Sequence, residues 1–348
     1  MSRLFYKVKP VVLLLAFSIL STQAFSQNLG SYQRIKVAGP SLEGNLEGNA
    51  VVRDVSIYLP PGYQQDSETR YPVVYLLHGF TDSDENWFGL NGDHFVNVQN
   101  GVDAGWENGA QELIIVMPNA FSRFWGSMYS NSVTTGDWEA YVAEDLVTYI
   151  DANYRTLATR ESRGLAGHSM GGYGVLRIGM KYPAVFSSLY AMSPCCMSPA
   201  MEPSQEQMAA AALVRTEEEI ANASFGVKAM LASAAAWSPN PTNGPLFYDL
   251  PIVDGEIQNE VVAKWVANAP LAMVHQYIPA LKKYEAILID AGDRDVGINA
   301  TVHTLDGILN DYGVNHIAEE YSGDHVNRIE ERITSKLMPF FSEHLNFE

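Results

Sequence analysis

Gly167-His168-Ser169-Met170-Gly171-Gly172 decides how this chain is read. It follows a short apolar run, Leu165-Ala166, and opens a helix-like segment over residues 173–182 that stops before Pro183. A G-x-S-x-G between strand and helix makes a turn too tight for a side chain at Gly167 or Gly171, which would strike neighbouring backbone. Ser169 is pushed out of the turn into a strained conformation, with its hydroxyl presented outward. The helix start behind it offers free N–H groups and a positive dipole end to a developing negative charge. With a strand before, a helix after, and acid and histidine downstream, the stretch predicts a serine nucleophile.

Working outward, residues 1–26 have the pattern of an export signal. Arg3, Lys7 and Lys9 form a basic start, residues 11–20 an apolar centre, and Ala24-Phe25-Ser26 a small-residue cleavage site before Gln27. The apolar centre is too short to span a membrane, and no later stretch is long enough. With no cysteine near the cleavage site, a lipid anchor is not expected, and the mature chain is expected to be secreted or periplasmic. Formal charge is −18 over 348 residues; removing 1–26, which holds three basic residues and no acidic one, leaves about −21. So acidic a surface excludes nucleic acid and anionic membranes as natural partners. The only cysteines, Cys195 and Cys196, are adjacent and cannot staple distant parts of a fold; two buried thiols are expected rather than a vicinal bridge.

Along the chain, residues 27–50 read as an exposed, Gly-rich lead-in with turns. Residues 51–59 alternate as a half-buried strand, and 73–77 (Val-Val-Tyr-Leu-Leu) are continuously apolar, as a central parallel strand covered on both faces must be. Residues 113–117 form another such strand, 138–153 an amphipathic helix, and 187–192 a further strand. The rhythm breaks over 195–282, which reads as a helical insertion over the sheet edge, a lid or pocket wall with Trp237 and Trp265 touching substrate. It resumes with strand 286–289, an acidic loop, helix 299–312, strand 317–321 and a terminal helix. The fold class is α/β, a mostly parallel sheet flanked by helices, forming one catalytic domain over 27–348.

A serine hydroxyl needs a base to take its proton, and the base needs a third group to fix its tautomer. In α/β-hydrolases these follow the serine on loops after late strands, acid before histidine. His325 is the histidine in the loop after the last strand; His303 lies in a helix, His316 begins a strand and His275 lies in the insertion. The acid comes from Asp290-Ala291-Gly292-Asp293-Arg294-Asp295, where Asp290 closes a strand and caps a turn, and position alone leaves Asp293 and Asp295 equivalent. The oxyanion donors are the N–H groups of Met170 and of Phe80, in the loop after strand 73–77; His78 there is a structural residue. Trp87, Trp125 and Tyr129 are candidates to line a substrate pocket. No motif for a metal, nucleotide or dinucleotide occurs, so no cofactor and no metal are expected.

Tyr58-Leu59-Pro60-Pro61-Gly62-Tyr63, Tyr71-Pro72 with the strand and His78-Gly79, Tyr141-Val142-Ala143-Glu144-Asp145-Leu146, and the serine turn together resemble the esterase D family. That family includes feruloyl and acetyl-xylan esterases, S-formylglutathione hydrolases and mycolyltransferases. The resemblance implies an α/β-hydrolase fold and a Ser169-His325-Asp295 triad, because feruloyl-esterase members carry the acid in a G-x-x-D turn, here Gly292 to Asp295. It implies a serine esterase acting through an acyl-enzyme on a small-molecule or polysaccharide-linked ester of feruloyl, acetyl or short-chain type. The rivals are a mycolyltransferase-like acyltransferase, an S-formylglutathione hydrolase-like thioesterase, and a non-catalytic binding module, which is expected to lose a triad member where this chain loses none.

Overall fold

The computed structural model describes residues 29–198 and 205–348; the export signal expected over 1–26 lies outside them. The described residues form an eight-stranded sheet. Its strands are β1 (Ser31–Ala38), β2 (Val52–Leu59), β3 (Val73–Leu77), β4 (Ile114–Pro118), β5 (Arg163–His168), β6 (Ser188–Met192), β7 (Ala286–Gly292) and β8 (Ile317–Tyr321). They lie in the order β1-β2-β4-β3-β5-β6-β7-β8. β2 runs antiparallel to β1 and β4, and every pairing from β4 to β8 is parallel.

β3 explains the layering. Val73, Tyr75 and Leu77 enter one apolar cluster and Val74 and Leu76 the other, so the strand has no solvent face and its sequence shows no alternation. On the first face lies α3 (Met170–Lys181), with Val175 and Ile178 in the core. On the second, α1 (Val98–Glu107) contributes Val102 beside Met338 and Phe341 of the C-terminal helical segment. The helix expected over 138–153 forms as Trp138–Ala140 and α2 (Leu146–Asn153), joined by a π turn at Tyr141–Asp145.

Three expectations are corrected. Residues 31–38 are not a loose lead-in but the edge strand β1, paired with β2 from Ser31↔Leu59 to Ala38↔Val52. Most of its side chains are exposed, so neither apolar content nor alternation marked it. β2 is covered on both faces from Val55 onward, because Ser56 donates to Asp84 (2.7 Å) and Tyr58 to Asp103 (2.6 Å). Asp290 does not cap a turn: it is fully buried within β7, where Arg332 Nε (2.8 Å) and the Tyr190 hydroxyl donate to it. Burying a carboxylate requires such partners.

Residues 205–281 hold α4 (Gln205–Leu213), α5 (Glu217–Asn222), α6 (Phe225–Trp237), α7 (Asn259–Asn268) and α8 (Pro270–Leu281). Trp237 and Trp265 do not touch a cleft. They meet edge-to-face at 5.4 Å, are almost wholly buried, and donate their indole N–H groups to Ser130 (3.2 Å) and Ser238 (2.8 Å). They are the insertion's core.

Candidate active site

β5 ends at His168, and Ser169 turns into α3 with φ 56° and ψ −115°, a conformation L-residues rarely hold. A Cβ on Gly167 would sit 2.6 Å from the carbonyl of Gly171, and one on Gly171 would land on the Leu77 carbonyl. Strand β3 and helix α3 can approach this closely only through glycine. The reward is geometric: Ser169 projects at the first turn of a twelve-residue helix, where amide N–H groups lack helical acceptors.

His325, in the loop after β8, reaches Ser169 from across the sheet edge. Its Nδ1 lies 2.6 Å from Asp295 Oδ2 and its Nε2 2.9 Å from Ser169 Oγ. A carboxylate only accepts, so Nδ1 carries the proton and Nε2 is left to accept from the serine hydroxyl. Asp295 occupies the N-cap position of α9 (Val296–Asp311), yet its side chain caps nothing and is turned to His325. Asp293 is placed differently. Its Oδ1 accepts from Gly323 N–H (3.0 Å) while its own N–H and that of Arg294 bond Tyr321 and Gly323 (2.8 and 2.9 Å). Geometry thus separates two carboxylates that their positions in the sequence did not.

Phe80 and Met170 lie together beside Ser169; a Cβ on Gly126 would press on both, 2.6 Å from the Phe80 ring and 2.7 Å from the Met170 sulfur. His78 is fully buried, donating from Nδ1 to Gly79 O (2.8 Å) and accepting at Nε2 from Ala120 N–H (2.9 Å), and burial lowers its pKa. His168 is also buried. Its Nε2–H donates to the carbonyl of His325 (2.8 Å), its Nδ1 has no partner, and burial, with the charge of His325, takes its pKa down to about 3.

The cleft over Ser169 has a volume of about 250 Å³. Trp87, Trp125 and Tyr129 do not line it. Trp87 is fully buried and donates to Asp82 Oδ2 (2.6 Å); Tyr129 is fully buried against Gly174 of α3, with its hydroxyl on His78 O (3.3 Å). Trp125 turns its ring to Lys228, whose Nζ sits 3.7 Å from the ring centre. The apolar wall is instead Phe95, Val326 and Phe225, three exposed side chains around one cleft. Phe225, the first residue of α6, is 65% exposed and meets Phe80 edge-on at 5.6 Å. Sequence reasoning missed all three, since each is an ordinary apolar residue outside any motif. It also missed His94 at the cleft, whose Nε2 lies 3.3 Å from Asp82. A larger groove, about 850 Å³, lies within the insertion and holds none of these residues.

Among the described residues no cluster of three or more His, Cys, Asp or Glu is arranged to hold a metal ion, and no helix is long and apolar enough to cross a membrane.

Known proteins resemble this chain. The Esterase family model matches residues 51–328. An esterase of Mycobacterium tuberculosis is 37% identical over 139 residues, 38% of this chain and 27% of that protein. The S-formylglutathione hydrolase of Mus musculus is 29% identical over 160 residues, 40% of this chain and 51% of its own length. The chain therefore spans about a quarter to a half of these curated relatives. A solved ferulic acid esterase superposes with a TM-score of 0.64 at 20% identity, covering 91% of this chain and 98% of the other, so the fold is that of the α/β-hydrolase esterases.

Proposed function

The chain belongs to the esterase family, and from that premise we propose that it is an exported serine esterase that hydrolyses carboxylic esters through Ser169, His325 and Asp295. The observation that carries the reading is the relay of contacts from Asp295 to His325 (2.6 Å) to Ser169 (2.9 Å) beneath an open cleft. Ser169 Oγ attacks the ester carbonyl carbon as its proton passes to His325 Nε2. Asp295 holds the ring in the required tautomer and stabilises the imidazolium. The carbonyl oxygen, now negative, is held by the N–H groups of Met170 and Phe80. His325 returns the proton to the departing alcohol, leaving an acyl group on Ser169. Water, deprotonated by the same imidazole, then releases the acid.

The wall supports a reading of the substrate class. Phe95, Phe225 and Val326 present apolar surface to the cleft over Ser169, which suits a feruloyl-type aromatic acid. The likeness to a ferulic acid esterase supports that choice. Export rests on the basic, apolar and small-residue order of residues 1–26. Similarity to S-formylglutathione hydrolase favours a second reading, thioester hydrolysis.

Methyl ferulate, acetylated xylan, short acyl esters and S-formylglutathione, offered to the protein and to Ser169→Ala, test both. The expected result is preference for the aromatic ester and a loss of at least about 10⁴-fold in the variant. A fluorophosphonate should label Ser169 alone. Turnover surviving in Ser169→Ala removes the mechanism, and preference for S-formylglutathione installs the second reading.

A further inference from the structure

Two sulfur atoms stand beside the nucleophile without a part in this chemistry. Cys195 and Cys196 follow the end of β6, both half-buried, both free thiols, with their Sγ atoms 2.7 Å apart. Cys195 N–H donates to the carbonyl of Ser169 (3.1 Å). Next door, Pro194 packs against Gly172 of the serine turn, and the Met197 carbonyl accepts from Leu271 N–H at the start of α8 (3.0 Å). The pair is thus built into the backbone that shapes the turn. Cys196 holds φ 60°, a left-handed conformation for a residue with a side chain.

We propose that Cys195 and Cys196 form a reversible modification site at which exchange with an external disulfide joins the two sulfurs and switches the esterase off. The coupling is geometric. Neighbouring Cα atoms across a trans peptide, as this one is, lie about 3.8 Å apart. A relaxed disulfide sets its Cα atoms about 4.4–6.8 Å apart. Adjacent Cα atoms cannot separate to that range, so joining these sulfurs twists the Cys195–Cys196 peptide and its flanking torsions, and that backbone holds the Ser169 carbonyl. In the exchange, one cysteine sulfur attacks the external disulfide and displaces one thiol. The second cysteine sulfur attacks the mixed disulfide and displaces the other. The protein loses two protons and two electrons, and the external disulfide takes them up as two thiols.

The inference rests on Ser169 as nucleophile, and its test keeps the two apart. The full chain is incubated anaerobically with hydroxyethyl disulfide, followed by intact mass and ester turnover, then treated with dithiothreitol. The expected result is a species two hydrogens lighter whose turnover falls about a hundredfold, the scale of a displacement of about 1 Å at a catalytic group, and recovers on reduction. Cys196→Ser should match the parent before treatment and resist this loss. Loss of two hydrogens with turnover unchanged overturns the coupling, failure to lose them overturns the site, and equal inactivation of Cys196→Ser shows that no pair is needed. Hydrolysis persisting in Ser169→Ala would instead remove the nucleophile, a failure the mass measurement does not share.

Discussion

His168 donates a hydrogen bond from Nε2 to the backbone carbonyl of His325, 2.8 Å away. The residue before the proposed nucleophile thereby holds the loop that carries the proposed base. Their rings lie 4.7 Å apart, so one imidazole must stay uncharged while the other cycles through a proton. Burial assigns the uncharged role to His168.

If His168 positions the base loop, losing its donor should weaken turnover without weakening binding. His168→Leu is expected to lower kcat by about tenfold to a hundredfold with KM little changed. His168→Gln, which can still donate, should recover most of the loss. A purely structural role predicts no such rescue, and steady-state kinetics of the two variants decide.

The same residue makes a prediction about acid. Folded His168 has its pKa near 3, while a histidine in an unfolded chain titrates near about 6.5. Between these values the unfolded state binds a proton that the folded state refuses. Stability therefore falls as pH drops through this window, by at most about 1.4 kcal/mol per unit from this residue. Above the window His168 contributes no pH dependence, and below it no further loss. Denaturant unfolding at several pH values should show a shallower decline for His168→Gln than for the parent. Parallel declines would contradict it.

Asp295→Asn should lower kcat on the order of 10⁴-fold, because the base loses the group that fixes its tautomer. Asp293→Asn removes a loop staple to Gly323 but no contact to the base, and should cost far less. Reversed magnitudes would put the acid at the wrong carboxylate.

Phe225→Ala should raise KM for methyl ferulate about tenfold, near 1.4 kcal/mol of lost apolar contact, and leave a small acetate ester almost unaffected. Trp265→Ala should behave in the opposite way, costing about 3–5 kcal/mol of stability through its cavity without changing the preference between the two esters. Equal kinetic losses on both esters for Phe225→Ala would remove it from the substrate wall.

How much the sequence disclosed depended on whether a feature was local. The serine turn and the β3 strand were readable because their constraints lie within a few residues. Glycine is needed where Leu77 and Gly171 approach, and a strand covered on both faces is apolar throughout. β1 was unreadable because an exposed edge strand is held by backbone pairing alone. Asp290 was misread because its partner, Arg332, stands forty-two positions away. Trp87 and Tyr129 look like pocket residues in a list of aromatics, but only packing reveals that both are interior. Phe225 reaches the cleft by the way α6 is seated, which no short pattern encodes.

The stapled loops after β7 and β8 determine where this machinery can come apart. Asp293, Arg294 and Gly323 bind the two loops to each other, and a Cβ on Gly292 would already strike the Gly323 carbonyl. Asp295 and His325 therefore travel as a single part, and Ser169, fixed to β5 and α3, is the other. Across the gap between His325 and Ser169 the two parts are tied by the bond from His168 Nε2–H to the His325 carbonyl. Losing that tie should open the gap while the carboxylate still grips the ring. An enzyme without it would keep its base oriented yet out of reach of the serine.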